Sequence, residues 1–334
     1  MDSSAATPIN KPIFVVGSPR SGTSILTWCL GQHPNIVPLP ESGWMGDFAI
    51  DLAIRYQIGA ARGDRSVLSA MDIQSDEFFA SFGQTINDLI LRHRKDLERK
   101  RSGASSIRTG RIASPVETRR SESNPKTRWA DGTPEYSMHI YGLRKLFPDA
   151  LFVHLFRDVS AVVRSMLNFH RVAGTHLVAN EEEAYRYWLR TVRACLKAER
   201  AYGPGVVYRL PYAALVENPE PAMRSLLDFL DVPYTAKCLE PLARRINSSS
   251  VPPDFKSDDP ATDPAVVEEA TRLCTEIGVT PRPREPSSVA AEEMQAAFEK
   301  QVQHVATVES KYEKAKQIIT TLRKENAGRA TSMQ

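Results

Sequence analysis

The chain has 334 residues, 42% of them hydrophobic, enough to bury a full core as one large domain with an appendage. Its 43 Lys and Arg against 40 Asp and Glu leave a net charge of only +3, so composition gives no support for nucleic-acid binding. No apolar run approaches the roughly 20 residues that span a bilayer. Met1 to Lys11 is polar and lacks a signal-peptide apolar core, so a cytoplasmic protein is expected. Cys29, Cys195, Cys238 and Cys274 form no CxxC pair; they read as reduced, buried thiols, and no metal is expected.

In chain order, Lys11 to Val16 predicts a buried strand, followed by a glycine-bounded turn and a helix over Thr23 to Gln32. Gly17 and Gly22 can take backbone conformations closed to other residues, so the turn can aim N–H groups at an anion on the helix N-terminus. GSPRSGTS overlays the phosphate-binding pattern G-x-x-x-x-G-K-[ST] except that Thr23 stands in place of lysine. Positive charge comes instead from Arg20, which argues against an ordinary Mg²⁺-dependent nucleoside triphosphatase.

A short strand over Asn35 to Leu39 and helices near Asp47 to Ala61 and Asp76 to Lys100 come next. Residues 99–128 are basic and poor in apolar residues, and read either as a mobile insertion or as a lid that attracts an anion. Then follow a strand at Arg128 to Asp131, a helix at Glu135 to Phe147, a strand at Leu151 to Phe156, helices at Val159 to His170 and Glu181 to Tyr202, a strand at Val206 to Leu210 and a helix at Pro219 to Leu230. Strands alternating with helices predict an α/β fold, with a P-loop-like central parallel sheet flanked by helices and binding loops at the strands' C-terminal ends.

Beyond a domain over 1–280, a Pro-rich linker is expected at 281–288 and a coiled-coil helix at 289–326. From Met294 to Asn326 mostly apolar residues recur in alternating steps of four and three, a seam that suits a second copy of the chain or this chain's own domain.

Pro19-Arg-Ser-Gly-Thr-Ser24 after an apolar strand resembles the 5′-phosphosulfate loop of sulfotransferases that use 3′-phosphoadenosine 5′-phosphosulfate (PAPS), among them the tyrosylprotein and bacterial carbohydrate types. Arg157-Asp158 at a strand end, with Ser165 on the following helix, resembles the family's 3′-phosphate motif. A guanidinium suits that bidentate grip; the plainer reading of Arg157-Asp158 is a helix-capping ion pair. Val206 to Glu220 and Leu226 to Pro233 resemble the family's core strand and helix, and Ile246 to Ser250 falls where a donor loop lies. The resemblance spans roughly 12–250, with the basic insertion unmatched.

The resemblance implies PAPS as co-substrate, bound by Arg20, Ser21, Gly22, Thr23, Ser24, Arg157 and Ser165, without a metal. The acceptor would be a hydroxyl on a sugar, small molecule, lipid or peptide. Glu41 matches the place of the family's glutamate base; its plainer role is to cap the next helix. His33, His139, His154, His170 and His176 compete for the base role, each with a structural alternative. Gly132 stands where the family carries a lysine that stabilises the leaving oxygen, so Arg20 or Arg128 would have to supply that charge. Other readings of the cradle are a small-molecule kinase and a non-catalytic nucleotide-binding scaffold acting through its coiled coil.

Overall fold

The structure, a computed structural model, describes residues 11–103, 126–243, 251–252 and 255–332. Residues 104–125 of the expected insertion and the serine loop at 246–250 lie outside the described residues. The chain opens with β1 (Ile13–Val16), α1 (Thr23–Gly31), β2 (Ile36–Pro38), α2 (Trp44–Ala60), α3 (Val67–Ala70) and α4 (Ser75–Gly103). It continues through β3 (Arg128–Asp131), α5 (Ile140–Leu146), β4 (Leu151–Phe156), α6 (Val159–Leu167), α7 (His170–Ala173) and α8 (Glu181–Tyr202). It closes with β5 (Val207–Pro211), α9 (Tyr212–Glu217), α10 (Pro219–Phe229), α11 (Pro264–Val279) and α12 (Ser288–Ser332).

The five strands form one parallel sheet in the order β2-β3-β1-β4-β5. Strand alternation gives it two apolar faces. Phe14 and Val16 of β1 face one layer with Trp129 and Phe152, while Ile13 and Val15 face the other with Leu26, Leu30 and Leu226. Strand β1 lies between β3 and β4, the point where successive connections leave in opposite directions, and the loops that follow β1 and β4 open there as a crevice.

Buried charge ties the sheet to α8. Glu199 accepts from Arg209 Nε at 3.0 Å and lies 2.5 Å from His154 Nδ1. Burial alone would raise its pKa, but the hydrogen bonds and charges of His154 and Arg209 outweigh that and hold it down to about 2. A carboxyl depressed by folding stabilises fully above its ordinary pKa and loses that contribution as pH falls toward the folded value. Glu199→Ala leaves a buried guanidinium without its counter-charge and is expected to lower stability by about 3–5 kcal/mol. Urea unfolding checks this; a loss below about 1 kcal/mol would contradict it.

Two residues of the expected basic insertion are part of the core. Lys126 Nζ donates to the carbonyls of Gly31 and Ile36 at 3.0 and 2.9 Å. Arg128 donates to those of Lys11 and Leu230 at 2.8 and 2.5 Å, and burial lowers its pKa to about 10. Arg99 to Gly103 belong to α4.

Helix α12 divides in two. Ala290, Met294 and Val302 are buried in the core layer of α2 and α5, and Phe298 packs 5.2 Å from Tyr141. Farther along, Val308, Tyr312, Ile318, Ile319 and Leu322 are 51%, 66%, 61%, 51% and 52% exposed. The Pro-rich stretch does not hold the helix off the domain: Pro286 packs on Gly203, and Ser287 N–H donates to Arg200 C=O at 2.8 Å.

Candidate active site

After β1 the chain turns through Gly17 to Gly22 into α1. A Cβ on Gly17 would come 2.6 Å from the Leu155 carbonyl oxygen. Gly22 has φ 108, and its Cβ would strike the Tyr212 ring at 2.7 Å, so both ends of the turn need glycine. Between them Arg20 takes φ 70, a left-handed conformation that costs a non-glycine residue roughly 1–2 kcal/mol. It is braced by Ser21 N–H donating to Ser18 C=O at 3.0 Å and by Arg157 Nη1 donating to Arg20 C=O at 3.1 Å.

The strained turn sends the Arg20 guanidinium across the crevice to α6, where Nε donates to Ser165 Oγ at 3.1 Å. It lies 5.1 Å from the Phe169 ring centroid. Arg157, just past β4, stacks 4.5 Å from the Tyr212 ring centroid and meets no carboxylate within 4 Å among the described residues. Burial and the charge of Arg157 lower the pKa of Arg20, with Glu41 opposing. Helix α1 starts without a side-chain cap, and its first intrahelical bond runs from Leu26 N–H to Gly22 C=O, so the amides of Thr23, Ser24 and Ile25 have no intrahelical acceptor.

Arg20, Gly22, Thr23, Ser24, Glu41, Arg157 and Ser165 all line one cleft of about 930 Å³. Ser21 does not: its hydroxyl is buried under the loop, near Gly17, and like that of Ser18 has no hydrogen-bond partner. Two guanidiniums and free helix-terminal amides fit an anion bearing several phosphate-like groups.

Glu41 reaches this cradle from β2. Ser42 N–H donates to Thr133 Oγ1 at 3.1 Å, and Ser24 Oγ donates to Glu41 Oε1 at 2.6 Å. The N-cap of α2 is Gly43, with no side-chain cap, so Glu41 is not the cap of that helix. Partial burial raises its pKa; the Ser24 bond opposes, Glu135 adds to the rise, and Arg20 opposes.

The sulfotransferase family model matches residues 12–236. The chain belongs to the sulfotransferase family. A protein of Aquifex aeolicus (strain VF5) is 26% identical over 238 residues, 70% of this chain but 27% of that protein. Protein-tyrosine sulfotransferase 1 of Danio rerio is 22% identical over 271 residues, 79% of this chain and 66% of its own. The chain thus spans about a quarter of the first relative and two thirds of the second. Among solved structures, the sulfotransferase domain of the Synechococcus PCC 7002 olefin synthase covers 87% of this chain and 96% of its own, at 18% identity and a TM-score of 0.41.

In this family member Gly132 has a steric cause: a Cβ there would lie 2.1 Å from Thr27 Oγ1. Arg128 is excluded as the replacement charge, because its guanidinium is engaged at the start of β3, away from the cleft. Arg20 is the cleft cation nearest the loop. No histidine lines the cleft among the described residues. His33 bridges Pro233 C=O and Asn35 N–H, His154 is spent on Glu199, and His170 stacks on His176. Asp158 caps α6 by accepting from Ala161 N–H at 3.0 Å.

Three residues escaped the sequence reading. Tyr212 and Phe169 wall the two guanidiniums, and Tyr212 was findable as the residue just past β5. Asp131 ends β3 beside β1, but it is fully buried and accepts from Thr133 N–H and Oγ1 at 2.9 and 2.6 Å. Burial pushes its pKa up to about 6 against those bonds, and it does not line the cleft.

Proposed function

We propose that this sulfotransferase uses PAPS and transfers its sulfuryl group in line to an acceptor hydroxyl. Arg157 and Ser165 hold the 3′-phosphate. Arg20, Gly22, Thr23 and Ser24 hold the phosphosulfate through side chains and the free amides of α1, while Ser21, its N–H bonded to Ser18 C=O, shapes the turn that presents them. As the acceptor oxygen bonds to sulfur, its proton passes to Glu41, and the breaking S–O bond leaves its electron pair on adenosine 3′,5′-bisphosphate. The observation that carries this reading is the meeting of Arg20 and Arg157, from the ends of adjacent strands, opposite a carboxylate joined to the same loop. Incubation with ³⁵S-labelled PAPS and acceptors of the sugar, phenol, lipid and peptide classes tests it. Labelled product and bisphosphate should form in equal amounts; donor turnover without transfer to any class would contradict it.

We also propose that a second copy pairs with α12 beyond Val308, where the apolar seam leaves the domain. No helix among the described residues is long and apolar enough to cross a membrane, and exposed apolar stripes of this kind call for a protein partner. Deleting 308–334 is expected to lower the mass seen by light scattering while preserving the fold and bisphosphate binding. Deleting from 289 removes core residues and should unfold the domain. An unchanged mass after the shorter deletion would contradict the pairing.

A further inference from the structure

The acceptor side of the cleft has a chemistry of its own. The segment Thr133-Pro134-Glu135 is locked to the strand end by the Thr133–Asp131 bonds and to Glu41's neighbour by the Ser42–Thr133 bond. Pro134 and Glu135 therefore line the same cleft as Glu41. Tyr187 of α8 reaches over and donates its hydroxyl to Glu135 Oε1 at 3.0 Å.

A neutral phenol aims this carboxylate but does not balance its charge. Glu135 forms no ion pair within 4 Å among the described residues. The surrounding ionisable groups offer little compensation. Arg190 stacks on the Tyr187 ring, 4.8 Å from its centroid. His139 is half-buried and has its pKa lowered by that burial, against Asp47 and Glu135. Glu41 is close enough to be repelled. The cations lining the cleft, Arg20 and Arg157, belong to the donor loops, and Gly132 leaves no space for another on this side. A half-buried carboxylate without a counter-ion is electrostatically costly, and an ammonium brought in by a ligand relieves that cost.

We propose that Glu135 selects an acceptor that carries an amine near its hydroxyl, the ammonium pairing with Glu135 while the hydroxyl meets Glu41. The proposal rests on the assignment of Glu41 as the base. Neutral acceptors gain nothing from Glu135, and anionic ones are repelled by both carboxylates.

The test uses acceptors matched in shape and differing in charge: tyramine, 4-ethylphenol and 4-hydroxyphenylacetate, and glucosamine, glucose and glucuronate. The full chain and its Glu135→Gln variant are compared at saturating labelled PAPS, with bisphosphate affinity measured alongside. In the better-used set, the amine should exceed its neutral counterpart by about tenfold or more in kcat/KM. Glu135→Gln, which can still accept from Tyr187, should bring the two within about twofold and raise the anionic member. Tyr187→Phe keeps the charge and should keep the amine first, which guards against a folding defect in the other variant. A neutral or anionic preference in the unaltered protein overturns the proposal. So does an amine preference that survives Glu135→Gln, or an absence of transfer to every member by a protein that binds the bisphosphate. Loss of both transfer and bisphosphate binding in the unaltered protein instead fells the donor assignment, and this proposal with it.

Discussion

Glu41→Gln is expected to reduce single-turnover sulfuryl transfer by about 10²-fold or more while bisphosphate affinity stays within a few-fold. Glutamine keeps the shape of glutamate and an oxygen able to accept from Ser24, so the cradle is preserved and only basicity is lost. The sign of the pH dependence follows from the raised pKa of Glu41. A base acts only when deprotonated, so activity should climb as pH rises through a value above the ordinary carboxylate range. Removing the neighbouring charge in Glu135→Gln should move that rise toward lower pH. Near-normal turnover of Glu41→Gln, or an acid limb that stays in place when Glu41 is altered, would take Glu41 out of the chemistry.

Arg157→Ala should weaken adenosine 3′,5′-bisphosphate by about 10²-fold, the upper end of the roughly 1.5–3 kcal/mol expected for a hydrogen bond to a charged group. Arg157 has a second task, because its bond to Arg20 C=O braces a left-handed residue of the loop. Adenosine 5′-phosphosulfate, which lacks the 3′-phosphate, should therefore lose a few-fold through the loop and no more. Equal losses for the two ligands, measured by calorimetry, would assign Arg157 to loop support alone.

The strands, and helices such as Glu181–Tyr202, were legible because apolar period and flanking breakers agree there. The predicted helix from Glu135 to Phe147 is instead a short 3-10 turn over Pro134–Met138 followed by α5, and Glu135, within that turn, lines the cleft. Helix α11 went unread; only Val266, Ala270 and Ile277 of it are buried, too sparse a stripe to stand out. Lys126 and Arg128 looked like part of a solvated basic run, yet they satisfy carbonyls at the N-terminal end of the strands, a role that only tertiary placement reveals. The seam of α12 carries one period along its length, and periodicity does not say whether the partner is the chain's own domain or another molecule. The loops after β1 and β4 were local in sequence and hence readable. The Ser24–Glu41 contact and the Tyr187–Glu135 contact depend on which elements the sheet order brings together, and no spacing announces the second.

The donor itself is tested most directly by differential scanning calorimetry of the full chain with adenosine 3′,5′-bisphosphate and, separately, with ATP and Mg²⁺ at the same concentration. A ligand that binds only the native state stabilises it by about 2.7 kcal/mol at a concentration a hundred times its Kd. The bisphosphate should raise the Tm by several degrees and ATP with Mg²⁺ by much less, because the cradle has arginines for two separate phosphate-like groups and threonine where a triphosphate-binding lysine would stand. An equal or larger rise with ATP and Mg²⁺ would contradict the PAPS assignment.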